Sequence, residues 1–194
     1  MSASERRTTV TPRESAGLIA PAPVARASAH TRPPLEPTLR HTTPLDPAAL
    51  VVLLDLTREY DERYRGLFGE PASAEINRYP AATFSAPNGT FLVLERDGAP
   101  VSAGAFMTIA PGTVEVKRMW THVDERGNGL ARLVLTELEN EARRRGNTRV
   151  VLSTGPRQPE AVRLYLATGY TPLFDTSLDP EEIVIHHFEK ELAS

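Results

Sequence analysis

The chain contains no cysteine. That excludes a disulfide, a thiolate metal site and a thiol nucleophile, so an acyl-cysteine intermediate is impossible. It also leaves the redox compartment unread. Long apolar runs are missing too, and none approaches the roughly 18 residues that a membrane-spanning helix needs. Residues 17–25 follow two arginines, but Pro21 and Pro23 interrupt them and polar residues precede them, so they are not read as a secretory signal. Charge of one sign is scarce: the formal net charge is −3, which gives no general attraction to nucleic acid or to an anionic membrane. Aromatic residues make up 6% of the chain, and the first of them is Tyr60. The expectation is a cytoplasmic protein with neither nucleic acid nor membrane as a partner.

What is present suffices for one domain with a core: 194 residues, 40% hydrophobic and 24% charged. Residues 1–40 are rich in Pro, Ala, Ser, Thr and Arg and have no apolar periodicity, which predicts a disordered tail. A targeting or partner-binding arm is the sharper alternative for that segment. The folded domain is expected over 41–194, with a short first strand at Thr38–His41. Asp46 and Pro47 form an N-cap and N1 pair, and a helix over 46–60 places Leu50, Leu53, Leu54 and Thr57 on one face. Residues 61–89 mix both charges with Tyr64, Phe68, Tyr79 and Phe84, as binding loops often do. Asp97-Gly98 marks a hairpin between 90–95 and 100–109, and Thr113–Thr121 is the next strand. A helix from Leu130, a strand at 149–153, a helix at 159–168 and strands at 170–174 and 183–192 complete the chain. The fold class is therefore α/β (α+β): a mixed, mostly antiparallel sheet of about six or seven strands with helices on both faces.

The chemistry centres on Glu115–Arg145. Asn128-Gly129 alone would suggest a hairpin, but Leu130, Leu133, Val134, Leu138 and Ala142 recur at helical spacing. The glycines thus lie between a strand and a helix N-terminus, where free N–H groups and roughly half a positive charge meet. Gly127 and Gly129 bring no side chain to block an anion, and Arg126 adds charge. A diphosphate suits such a turn. A phosphate-binding P-loop would need Gly-Lys-Ser/Thr, which is absent. A dinucleotide fingerprint would need a third glycine and a parallel sheet.

Arg126-x-x-Gly129-x-Ala131 resembles the R/Q-x-x-G-x-G/A motif of the GNAT acetyltransferase superfamily. The run 161–170, AVRLYLATGY, resembles the superfamily's second signature, A-x-x-L-Y-x-x-x-G-F/Y. The resemblance covers roughly residues 40 to 192. It implies acetyl-coenzyme A as co-substrate, no metal, and a small-molecule or peptide amine as acceptor. It also implies that the backbone of Arg126, Gly127, Asn128, Gly129, Leu130, Ala131 and Arg132 holds the pyrophosphate. The main chain of Met119, Trp120 and Thr121 would pair with the pantetheine arm, and Gln158 stands where many members carry Asn. Tyr165 takes the place of the family's general acid. Glu115 is the candidate base, on a face shared with Lys117 and Met119; an ion pair with Lys117 is its alternative role. Arg132 and Arg157 are candidates for the donor's terminal phosphate. His186 and His187 are adjacent on a strand and point to opposite faces, so they cannot chelate one metal. Homodimers are frequent in the superfamily. The reading from a different class is a non-catalytic acyl-coenzyme A-binding or sensing module.

Overall fold

The computed structural model describes residues 36–67 and 69–193. The expected tail up to residue 35 and the side chain of Phe68 lie outside the described residues. Strand β1, Thr38–Thr42, pairs antiparallel with β2, Gly89–Arg96, so the tail boundary expected at residue 40 falls inside a paired strand. Helix α1, Pro47–Tyr64, starts as its sequence predicts: the Asp46 side chain accepts from the Ala48 N–H at 2.9 Å. A short α2, Ala72–Ile76, leads into a 3₁₀ turn at Ala81–Phe84. Strands β3, Ala99–Ala110, and β4, Thr113–Thr121, form the expected hairpins. At the first of these turns Asp97 and Gly98 both have positive φ, as a tight two-residue turn requires.

Helix α3, Leu130–Arg144, crosses to β5, Arg149–Thr154, which lies parallel to β4. Helix α4, Pro159–Ala167, and the strands β6, Thr171–Pro172, and β7, His186–Glu191, follow. The seven strands form one sheet in the order β1-β2-β3-β4-β5-β7-β6, antiparallel except at β4·β5. The last two strands are shorter than the sequence suggests. Pro172 has no N–H with which to extend a ladder, and residues 183–185 lie outside β7.

Both faces of the sheet are covered, which explains the unbroken apolar run Phe91-Leu92-Val93-Leu94 in β2. Leu92 and Leu94 pack with Phe106, Val114 and Val116 against Val134, Leu135 and Leu138 of α3. Phe91 and Val93 pack with Ala103, Ala105 and Trp120 against Ala49, Val52 and Leu56 of α1. The face chosen for α1 from spacing is thereby corrected: Leu50 is 45% and Leu54 69% exposed. The run ALVVLLDL is apolar nearly all round, so periodicity does not select a side; contact with the sheet does. Leu133 of α3 is also exposed, and Glu139 takes an inward position, where Lys190 Nζ donates to it at 2.8 Å.

Gly89 opens β2 where backbone crowds it. A Cβ there would lie 2.3 Å from the Phe106 carbonyl oxygen and 2.4 Å from that of Thr83. Gly89→Ala is expected to cost about 3 kcal/mol, at the upper end for overpacking, because neither oxygen belongs to a movable side chain. A urea midpoint within error of the parent protein would refute this.

Candidate active site

The site begins with a defect in β4. Ala103 pairs with Trp120 and Ala105 pairs with Lys117, so Gly104 faces both Arg118 and Met119. This is a β-bulge, and Arg118 adopts φ +59 to make it. The extra residue reverses the in-out alternation beyond it. Glu115 and Lys117 stay on the α1/α2 side. Met119 turns to the α3 side, where its Sδ would lie 2.6 Å from a Cβ added at Gly104. The face that alternation predicts for Glu115, Lys117 and Met119 together is thus broken at Arg118.

Beyond the bulge the sheet opens. β4 pairs with β5 only from Thr113↔Arg149 to Val116↔Leu152. β5 continues to Thr154 along β7, whereas β4 continues to Thr121 without β5 beside it. The edge of β4 that faced β5 therefore presents main-chain groups to a cleft of about 370 Å³. Its walls are Lys117–Thr121, Ser153 and Thr154, Arg126, Gly127 and Gly129–Arg132 of the turn, Gln158 and Tyr165.

At one end of the cleft stands the N-terminus of α3. Gly127 and Gly129 have φ +81 and +77, no side chain caps the helix, and a Cβ at either glycine would meet nothing within 4 Å. The first-turn N–H groups thus face open space and carry the positive end of the helix dipole. Gly127 and Gly129–Arg132 line the cleft; Asn128 is exposed and is not part of its wall. Arg126 is held in place by α1. Its Nη2 meets Glu59 at 2.7 Å, its Nε donates to the Thr121 carbonyl at 3.1 Å, and Glu59 also pairs with Arg63 at 2.6 Å. The role of Glu59 and Tyr60 in this wall was not read from the sequence. The only available signal was the i, i+4 pair Glu59–Arg63 on a helix whose destination was unknown.

Tyr165 also lines the cleft; it is 4% exposed, its ring 5.5 Å from that of Phe188 and 5.7 Å from that of Tyr170. Burial, and secondarily the neighbouring Tyr60, push its hydroxyl well above the ordinary phenol range, so it stays protonated. Gln158 receives a hydrogen bond from Thr154 Oγ1 at 2.6 Å. Trp120 contributes main chain to the cleft while its indole packs beneath α1 and donates to Asp55 at 2.9 Å.

A second cavity, about 900 Å³, adjoins the first and shares Tyr60, Lys117, Arg118, Thr154 and Gln158 with it. Its walls come from the 61–79 segment and from Val184, Ile185 and His187. Glu115 lines this cavity and not the cleft, paired with Lys117 Nζ at 2.9 Å. The other candidates separate. Among the described residues Arg132 reaches only the Ala167 carbonyl, at 3.4 Å. Arg157 is engaged by Glu181 at 2.8 Å and by the Arg63 carbonyl at 2.8 Å. His122, next to the turn, is not a wall of either cavity: it caps the 3₁₀ turn at Val123–Glu125 by accepting from the Asp124 N–H at 3.3 Å. His186 is buried and stacked on Phe174, while His187 is exposed on the other face.

A parted sheet with a helix N-terminus at the parting, joined to a second cavity, can hold an extended anionic carrier and an acceptor side by side. That is the arrangement of a group-transfer enzyme. Comparison with known proteins gives the family. The acetyltransferase (GNAT) family model matches residues 53–170. An "IAA acetyltransferase" of Azospirillum brasilense is 31% identical over 135 residues, 69% of this chain and 83% of that protein. Two solved structures share the fold. One is a GNAT-family acetyltransferase of Staphylococcus aureus (TM-score 0.64, 9% identity, 80% of this chain and 100% of that one). The other is an N-acetyltransferase of Thermoplasma acidophilum in complex with coenzyme A (TM-score 0.60, 17% identity, 79% and 99%). The chain belongs to the GNAT acetyltransferase family and is an acyltransferase.

Proposed function

We propose that the protein transfers an acetyl group from acetyl-coenzyme A to a primary amine of a small molecule or peptide, directly, in a ternary complex. The observation that carries this reading is the meeting of the two cavities at the bulge of β4. The donor's diphosphate rests on the N–H groups of Gly127 to Arg132. Its pantetheine arm follows the free edge of Met119–Thr121 as an added strand would. The acceptor enters from the larger cavity. No thiol exists to carry the acetyl group between them.

The acceptor, with an ordinary pKa of about 10 as an alkyl amine, must arrive at the carbonyl carbon unprotonated. Its nitrogen forms the new bond, the carbon–sulfur bond breaks, and a backbone N–H at the bulge stabilises the oxyanion between the two events. The site divides the proton work sensibly. Glu115, on the acceptor side, takes the amine proton, and Tyr165, on the donor side, gives one to the departing thiolate.

The test is release of free thiol from acetyl-coenzyme A across a broad amine panel. Thermal stabilisation by the donor with no turnover would make the protein a binding or sensing module instead. No stabilisation at saturating donor would remove both. Glu115→Gln is expected to lower kcat/KM roughly 100-fold. An unchanged kcat/KM would shift the base role to a water chain.

A further inference from the structure

The larger cavity has an unusual cation in its floor. Arg118 is 9% exposed and lines both cavities. Its Nη2 donates to the Ile76 carbonyl at 2.6 Å, and its guanidinium lies 4.0 Å from the centre of the Phe84 ring. Among the described residues, no carboxylate lies within ion-pair distance of it. Among the described residues its Nε and Nη1 have no hydrogen-bond partner, and the residue lines both cavities.

The neighbouring charges are already spoken for. Lys117 pairs with Glu115 at 2.9 Å, and Glu75 is engaged by Arg78 at 2.8 Å and by Lys117 at 3.9 Å. Asp61 accepts from the Ala72 N–H at 2.8 Å. The deep positive charge of Arg118 has no ion-pair contact among the described residues, although Glu75 acts favourably on it through space. Burial works against it and lowers its pKa to about 10. The residue also occupies a left-handed backbone position that costs a non-glycine residue energy, and such strain clusters at functional sites. A buried guanidinium without an ion-pair partner fits a carboxylate through charge-assisted hydrogen bonds.

We infer that the acceptor is an amino carboxylate, an amino acid or a comparably short analogue, whose carboxylate binds Arg118 while its amine faces the thioester. The position of Arg118 at the seam puts the carboxylate beside the reaction centre, which argues for a short spacer. A peptide N-terminus or a polyamine offers no such anion next to its amine. This inference rests on the acetyl-transfer reading above.

The experiment compares matched sets with the full chain: free amino acids, their amides and the corresponding decarboxylated amines, each assayed for thiol release. The free acids are expected to exceed both neutral analogues in kcat/KM by roughly 10- to 100-fold, the value of a charge-assisted hydrogen-bond partner. In Arg118→Met that ratio is expected to fall to near unity. The variant's folding is checked by its melting curve and by its thermal shift with acetyl-coenzyme A. Equal rates for acids, amides and amines in the parent protein overturn the inference and leave acetyl transfer standing; that arm needs no variant to fold. Thiol release from none of the sets overturns both. A variant that loses donor affinity but keeps the ratio would assign the guanidinium to an anionic group of the donor and overturn the inference as well.

Discussion

Gly129→Glu is expected to abolish acetyl-coenzyme A binding while the protein stays folded. The backbone there has φ +77, so any side chain carries some strain, about 1–2 kcal/mol. Space is not the obstacle, since an added Cβ would meet nothing within 4 Å. The carboxylate would instead settle at the N-terminus of α3, where the dipole favours it, in the place proposed for the donor's diphosphate. Two like charges 4 Å apart near a protein surface repel by about 4 kcal/mol, which is roughly a thousandfold in Kd. Calorimetric titration with the donor measures this, and Gly129→Ala isolates the strain. If the alanine variant loses as much affinity as the glutamate variant, the turn acts through its conformation and not as an anion site.

Tyr165→Phe is expected to lower kcat about 100-fold, the usual scale for a general acid, with the donor KM changed by less than about threefold. The substitution keeps the ring and therefore the contacts with Phe188 and Tyr170; only the hydroxyl is removed. Because burial holds that hydroxyl far above the ordinary phenol range, it remains an acid throughout the working pH. Raising the pH toward 10, near the ordinary phenol pKa, should therefore not produce a basic limb attributable to Tyr165. Steady-state kinetics with a single acceptor settle both points. Unchanged turnover in the phenylalanine variant would leave Tyr165 as a packing residue.

Much of the cleft beside β4 was legible in the sequence. Gly127 and Gly129 mark the turn because the helical spacing after them rules out a hairpin. Tyr165 was legible because AVRLYLATGY keeps its spacing on a short helix. Asp46 was legible as a cap because one side-chain oxygen and one proline suffice to start α1. Less was legible around the larger cavity. Residues 61–79 contain helix, turn and loop with no period, and their part in a cavity depends on which strands they meet. Arg118 looked like one polar residue in an alternating strand. Nothing local places Glu139 inward, because its partner Lys190 lies far along the chain.

The sequence by itself determined the order of elements, the glycine turn before α3, the exclusion of a thiol intermediate and the helix that carries Tyr165. These follow from local rules: periodicity, capping, glycine conformation and residue inventory, each acting over one or two turns of chain. Only the tertiary structure decided which faces are used. One left-handed residue at Arg118 adds a position to β4 and reverses the alternation after it, so Glu115 and Met119 end in opposite layers. The parting of β4 from β5, the burial of Ala49, Val52 and Leu56 instead of Leu50 and Leu54, and the meeting of two cavities at Arg118 likewise arise from pairing between segments far apart in the chain. Side-chain direction along a strand depends on register, and register is set by partners that local spacing does not name.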